Sequence, residues 1–155
     1  MKHAHVAAPP PQKIRLQSRF ADVEVDPRDI VTFPDGIPGY EGRREFVLLN
    51  STDFAPLTVL HAVGSSEPCF LGVDPKTVLE GYRCELGATD RLRLGVSAAS
   101  PLLWLAIVSV NENGEVAANL RAPIVINPER MIGRQVMPNN CVYPLHHVLV
   151  SAETK

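Results

Sequence analysis

Short runs of apolar residues that alternate with polar ones occupy most of the chain after its first dozen positions. Ile14 and Leu16, and then Val23 and Val25, are separated by charged neighbours, and this period of two is typical of a half-buried β-strand. Because proline or glycine separates most of the later runs, we expect many short strands joined by tight turns. Those runs, rich in β-branched and aromatic residues, predict strands near residues 30–33, 46–49, 57–63, 69–73, 116–120, 124–126 and 131–137.

The longest apolar run, residues 102–110, has apolar side chains on both faces. A strand with this pattern is covered on both sides, so we expect it at the centre of the fold. Asn113 and Gly114 follow it, and both residue types adopt the positive φ angles of a tight hairpin turn. The pattern therefore predicts a hairpin that returns through residues 116–120. Pro123 should interrupt the next strand, because proline donates no backbone hydrogen bond.

Helices are indicated at one or two places only. Asp74 is a suitable N-cap and Pro75 a suitable first helical residue, which predicts a short helix that stops before Gly81. Residues 82–99 are ambiguous, because the alternation of Leu92, Leu94 and Val96 fits a strand while a helical turn near residues 89–90 fits equally well.

The balance of elements predicts a mainly β fold, as a barrel or a sandwich, and we favour a small antiparallel β-barrel-like domain with one or two short helical turns. A chain of 155 residues with 45% apolar and 21% charged residues is sufficient for one globular domain. We place that domain at residues 13–150. Residues 1–12, which include three consecutive prolines, are expected to be a disordered tail, and residues 151–155 a second short tail.

Charge and cysteine content limit the kinds of partner and the cellular compartment that we expect for the protein. Fifteen basic and 17 acidic residues give a net charge of −2, which indicates neither a nucleic-acid-binding nor a membrane-binding surface. The three cysteines, Cys69, Cys84 and Cys141, are far apart in the sequence and odd in number, which argues against a disulfide framework or a zinc site. The first residues lack the apolar core of a signal peptide, and no apolar run approaches the roughly 20 residues of a membrane-spanning helix. We therefore expect a cytoplasmic protein with reduced thiols.

The sequence gives little support for a catalytic site. Cys141 could be paired with His146 or His147, but no local signature of a reactive cysteine surrounds it, so a packing role is favoured. The two adjacent histidines would point to opposite faces of a strand and could not bind one metal together. Gly36 and Gly39 are turn glycines that match no phosphate-binding motif. We expect no catalytic residue, no metal and no cofactor.

Several motifs, in order, carry a resemblance to a known family. The segment VTFPDGIPGY (31–40) and the segment NLRAPIVIN (119–127) are the most distinctive, and FVLL (46–49), Asp74-Pro75, Gln135-Val136 and YPLH (143–146) occur in the expected order. Together they resemble the flagellar assembly factor FliW family. The resemblance implies a compact β-barrel-like protein that is not an enzyme and has two protein partners.

The partners that the resemblance implies are flagellin, bound before export, and CsrA, a small dimeric RNA-binding repressor of flagellin translation. Flagellin occupancy would withdraw the protein from CsrA by mass action, and flagellin export would release it to bind CsrA. We expect a monomer that makes no direct contact with nucleic acid or membrane.

A surface that antagonises a basic RNA-binding partner should be acidic. The acids that cluster best in the loop-rich middle of the chain are the expected partner-binding residues: Asp74, Glu80, Glu85 and Asp90. Two alternative functions remain open from the sequence, a small β-barrel that binds single-stranded RNA and a cysteine-dependent enzyme using Cys141 or Cys69.

Overall fold

The structure is a computed structural model that describes residues 14–16, 23–50, 52–53, 55–65, 68–97, 100–138 and 141–151. The expected N-terminal tail, residues 1–12, lies outside these ranges, as do residues 152–155 of the expected C-terminal tail 151–155. Over the described residues there are two α-helices, α1 (Pro75–Val78) and α2 (Ala88–Leu94), and a 3₁₀ turn at Pro27–Asp29. The strands of this part of the chain are β1 (Ile14–Leu16), β2 (Val23–Val25), β3 (Val31–Thr32), β4 (Glu45–Asn50), β5 (Thr58–Ala62), β6 (Cys69–Val73), β7 (Leu103–Val110), β8 (Val116–Ala118), β9 (Ile124–Asn127), β10 (Ile132–Gln135) and β11 (His147–Val150).

Seven of the described strands close into a barrel. Their order is β7-β6-β5-β4-β3-β10-β9, and β9 pairs again with β7 to complete the ring. The pairing of β3 with β10 is parallel and the other pairings in the ring are antiparallel. The mainly β barrel prediction is confirmed, with this one parallel pair as an exception to the antiparallel arrangement. Strands β1 and β2 form a separate hairpin sheet.

Strand β7 has two sets of neighbours on one edge. Its first half pairs with β9, where Leu103 is opposite Ile126, and its second half pairs with β8, where Val110 is opposite Val116. Strand β8 in turn carries β11 as the outermost strand of the sheet. The predicted hairpin between β7 and β8 is confirmed, and Gly114 has the expected positive φ of 83°.

The centre of β7 is buried and its two ends are not. Leu105 is only 8% exposed, whereas Leu103 is 45% exposed and Val110 is 58% exposed. The expectation that the whole run is covered on both faces therefore holds only for the middle of the strand. Val110 is exposed where β7 pairs with β8 beyond the closed ring, and Leu103 is exposed where it lines a cleft on the surface of the barrel.

The barrel interior is filled by apolar side chains from most of its strands. Phe33 and Phe46 meet there edge to face, with ring centroids 5.2 Å apart. Outside the barrel, three smaller apolar clusters cover the faces of the sheet, so that β9 is buried along its whole length. The buried residues of the interior cluster are Val31, Phe33, Ile37, Phe46, Leu60, Ala62, Leu105, Ile124 and Ile126.

Within the ambiguous segment 82–99, residues Ala88–Leu94 form helix α2. Helix α2 packs Leu94 against Val125 on the outside of the barrel, and Gly95 ends the helix with a φ of 65°. Leu92, in contrast, is 82% exposed, so the alternation of apolar residues did not mark a buried strand face. The strand alternative for this segment is wrong and the helical alternative is right. Strand β11 is a further element that the sequence patterns did not predict.

We predict that Leu105→Ala lowers the free energy of unfolding by about 3 kcal/mol, because it opens a cavity in the barrel core. Leu103→Ala is the matched control on the same strand, and it should cost less than about 1 kcal/mol because its side chain is already half exposed. Urea unfolding followed by circular dichroism measures both values. Equal losses for the two variants would contradict the burial pattern of β7.

Candidate partner-binding surface

The first motif, residues 31–40, contributes buried side chains and a tight turn to the barrel. Phe33 and Ile37 are buried in its interior. Gly36 has a φ of 69°, and a Cβ atom at this position would lie 2.8 Å from the Cα atom of Glu41. The Phe33 ring fills the space beside Gly133, where an added Cβ atom would lie 2.5 Å from the ring. These residues are required by the close turn and by ring packing. Pro34, Pro38 and Tyr40 of the same motif are exposed.

The two asparagines of the second motif, residues 119–127, also stabilise the fold. The Asn119 side-chain oxygen accepts hydrogen bonds from the backbone N–H groups of Arg121 and Ala122, at 3.1 and 3.0 Å, and so shapes the turn before Pro123. Asn127 is buried, and its amide nitrogen donates to the Leu94 carbonyl at 2.8 Å. This bond satisfies a carbonyl at the end of α2 that has no partner within the helix. Both motifs therefore specify the fold.

An ion-pair chain joins α2 to the barrel. The Asp35 carboxylate accepts from Arg93 at 3.2 Å and also pairs with Arg134. Arg134 in addition donates from Nε to the Asp90 carboxylate at 2.7 Å. Asp90 lies in the first turn of α2, where a negative charge is also favoured by the helix dipole. The interactions of Asp90 are thus internal to the protein.

The structure places the four predicted partner-binding acids in two different situations. Asp74, which immediately precedes α1, and Glu80 and Glu85, which follow it, are exposed, although Asp74 also caps that helix by accepting from the Lys76 backbone N–H at 3.0 Å. Asp90 is half-buried in its ion pair with Arg134. Of the four, Glu80 and Glu85 have the most exposed side chains, and the Glu85 carboxylate makes a solvent-exposed ion pair with Arg83 at 3.4 Å.

A cleft of about 670 Å³ lies between α1, the segment that follows it and the start of β7. We call it the α1 cleft. Its walls combine apolar surface with charged and aromatic groups, which is the composition expected of a protein-binding depression. Residues that line it include Thr58, Asp74, Lys76, Tyr82, Arg83 and Trp104. No sequence pattern predicted this cleft, because its walls come from separate strands and loops.

Two tyrosines hold the edge of the α1 cleft against the loop that precedes β11. The rings of Tyr82 and Tyr143 pack with centroids 4.5 Å apart. The Tyr82 hydroxyl donates to the Leu120 carbonyl at 2.9 Å, and the Tyr143 hydroxyl accepts from the Arg83 backbone N–H at 2.9 Å. Burial raises the pKa of Tyr82, so its hydroxyl keeps the proton that it donates.

Two of the three cysteines lie closer together than their separation in the sequence suggests. Cys84 and Cys141, although far apart in the sequence, have their sulfur atoms 3.1 Å apart, and all three cysteines are thiols. Sequence separation was therefore a poor guide to their spacing in the fold. His146, proposed as a partner for Cys141, instead contacts Glu115 at 2.7 Å. Burial raises the pKa of Cys84 to about 11, which is the opposite of what a nucleophilic cysteine requires.

Among the described residues, no group of three or more metal-binding side chains comes together. None of the described helices has the length and apolar character needed to cross a bilayer.

Comparison with known proteins gives a consistent result. A family model described as FliW protein matches residues 15–149. The chain is 31% identical to the flagellar assembly factor FliW of Carboxydothermus hydrogenoformans over 137 residues, which cover 88% of each chain. It is 33% identical to that of Desulfitobacterium hafniense over 135 residues, covering 86% of this chain and 89% of the other. A crystal structure of the flagellar assembly factor FliW superposes with a TM-score of 0.81 at 29% identity, covering 90% of this chain and 99% of that one.

We predict that alkylation of Cys84 by iodoacetamide, measured under reducing conditions, is slow at neutral pH and still rising toward pH 11. The folded-state pKa of about 11 lies above the ordinary thiol value of 9.0, so the folded state favours the neutral thiol. That contribution to stability is present below about pH 9 and is lost as the pH rises through about 11.

Mass spectrometry of the tryptic peptide 84–91 measures this rate. The same peptide in urea-unfolded protein is the control, and its rate should level off at lower pH. Identical pH profiles in the folded and unfolded protein would contradict the burial of this thiol.

Proposed function

The chain belongs to the FliW family, and from this premise we propose that it is a flagellar assembly factor that binds flagellin as a cytoplasmic chaperone and antagonises the translational repressor CsrA. The observation that carries the proposal is the match over residues 15–149 together with the same barrel fold over 99% of a FliW crystal structure. We propose that the chain works through protein binding, and we assign it no enzymatic activity.

The proposed mechanism is an exchange of partners. A protein that binds flagellin is withdrawn from other partners by mass action. When export removes flagellin, the freed protein binds CsrA and relieves repression of flagellin translation. The coupling is reciprocal, so each partner weakens the apparent affinity for the other by the same factor.

The distribution of structural and available residues supports a partner surface near α1. The buried residues of the two sequence motifs are engaged in turns, caps and core packing, whereas Glu80 and Glu85 are exposed acids beside the α1 cleft. Acidic groups on a rigid barrel would complement the basic surface of an RNA-binding repressor and increase the rate of association. We propose that CsrA approaches this side of the barrel.

The proposal is tested by isothermal titration of the purified protein with the flagellin and the CsrA of the same organism. Binding of both proteins, with flagellin lowering the apparent affinity for CsrA, supports partner exchange. Binding of neither would overturn the proposal. A single-stranded RNA oligonucleotide in the same assay tests the alternative RNA-binding function, which would require a continuous basic and aromatic groove.

We predict that the double variant Glu80→Lys, Glu85→Lys slows association with CsrA by about tenfold at low salt and weakens its dependence on salt. Asp90 is left unchanged because its ion pair with Arg134 stabilises the fold. Stopped-flow fluorescence at several salt concentrations measures the rate.

The control is Glu112→Lys, Glu129→Lys, which changes the net charge by the same amount at two exposed positions away from the α1 cleft. Equal slowing in both double variants would indicate an effect of net charge alone and would remove the α1 side as the docking surface. An unchanged rate in the first variant would have the same consequence.

A further inference from the structure

Two thiols separated by 57 positions in the sequence meet in the folded chain. The Cys84 and Cys141 sulfur atoms are 3.1 Å apart, and each thiol is half-buried. A disulfide bond is about 2.05 Å long, so the sulfurs would need to approach by only about 1 Å to form one. We propose that Cys84 and Cys141 form a redox-sensitive modification site, at which a small-molecule disulfide oxidises the pair to an intramolecular disulfide.

Neighbouring contacts keep the two thiols next to each other. Tyr82 and Tyr143 pack against each other two positions from each cysteine, and the Arg83 backbone N–H donates to the Tyr143 hydroxyl. The Cys141 thiol also lies 3.7 Å from the Leu120 carbonyl. These contacts keep the sulfur atoms adjacent, and such positioning gives an intramolecular step a high effective concentration.

The backbone on each side can accommodate bond formation. Cys84 lies between α1 and α2, and Cys141 lies between β10 and β11, so neither is part of a strand ladder. A shift of about 1 Å, the amount that the bond length requires, need not break a pairing of the barrel. Each cysteine is on a surface segment, where such adjustments are ordinary.

An oxidant can reach the pair. A shallow hollow of about 170 Å³ is lined by Arg83, Cys84, Glu85 and Cys141. The third cysteine, Cys69, lies elsewhere, at the start of β6 and opposite His61 of β5. Cys69 therefore serves as an internal comparison for a thiol at a different place in the fold.

The chemistry is two successive thiol–disulfide exchanges. One cysteine of the pair loses its proton to solvent, and its thiolate attacks the oxidant disulfide, forming a mixed disulfide and releasing one thiolate. The other cysteine, deprotonated in turn, attacks the protein sulfur of that mixed disulfide and releases the second thiolate. Two electrons pass from the protein thiols to the oxidant, and the two protons end on the released thiols or in solvent.

The burial of Cys84 sets the resting state of this site. Because its pKa is raised to about 11, the thiol is protonated at neutral pH and exchange is slow. The rate should therefore increase with pH across the alkaline range. Once formed, the bond closes a long loop and restricts the unfolded chain, which favours the folded state.

The test uses the full-length wild-type protein with oxidised glutathione as the oxidant. Intact mass should fall by two hydrogen atoms, one of three thiols should remain open to alkylation, and trypsin should release peptide 84–91 joined to peptide 135–155. The melting temperature should rise by several degrees relative to the reduced protein. Because the peptide map comes from the wild type, the result does not depend on whether a variant folds.

Variants sharpen the assignment. Cys69→Ser should keep the linked peptides, whereas Cys84→Ser and Cys141→Ser should each abolish them and leave two thiols that do not join within one chain. Three free thiols after oxidation, a linkage that includes Cys69, or bonds only between separate chains would each overturn the proposal. A disulfide that lowers the melting temperature would do the same, since it would form only from a distorted structure.

Discussion

The double pairing of β7 is the constraint on which the rest of the structure depends. One edge of this strand closes the barrel with β9 and then, further along, carries β8 and β11. The switch between the two neighbours occurs where the second motif turns the chain at Asn119 and Pro123, because proline cannot continue the ladder. The interior core, the closing strand and the β11 flank are thus held by one continuous backbone segment. A one-residue register error in β7 would turn its apolar side chains to the opposite face of the sheet. The error would disturb the pairing with three neighbouring strands at once.

The buried residues of the family motifs have structural roles. Recognising the family from these motifs therefore does not identify the surface that binds a partner. Phe33 requires the open space beside Gly133, and the buried Asn127 amide holds the end of α2. Few other amino acids are tolerated at such positions, because a substitution would cause a steric clash or leave a buried polar group without a partner. A partner surface is less demanding, since exposed acids such as Glu80 and Glu85 resemble any solvated side chain. Family membership can therefore be established from motifs that do not themselves form the proposed binding surface.

The sequence predicted those parts of the fold that depend on local rules. The turn at Gly114 follows from backbone geometry, and the short helix α1 follows from Asp74 and Pro75. Helix α2 was ambiguous because only Leu94 of its alternating apolar residues is buried, while tertiary packing against Val125 decides its state. The α1 cleft, the ion pair of Asp90 with Arg134 and the meeting of Cys84 with Cys141 depend on contacts between distant segments. No periodicity or spacing in one sequence encodes such contacts, so the candidate site was predictable only as a loop-rich acidic region.

The proposed docking surface and the proposed redox site involve the same stretch of chain. Glu80 and Glu85 flank the segment in which Tyr82 and Cys84 contact the loop before β11. A covalent link between Cys84 and Cys141 would reduce the freedom of this segment, and ordering a loop on binding carries an entropic cost. If CsrA binds the arrangement seen here, a preformed link lowers that cost and favours the complex. If binding requires the two segments to separate, the link opposes it. By linkage, a partner that prefers the joined arrangement must equally favour formation of the disulfide, so for such a partner the two events are energetically coupled.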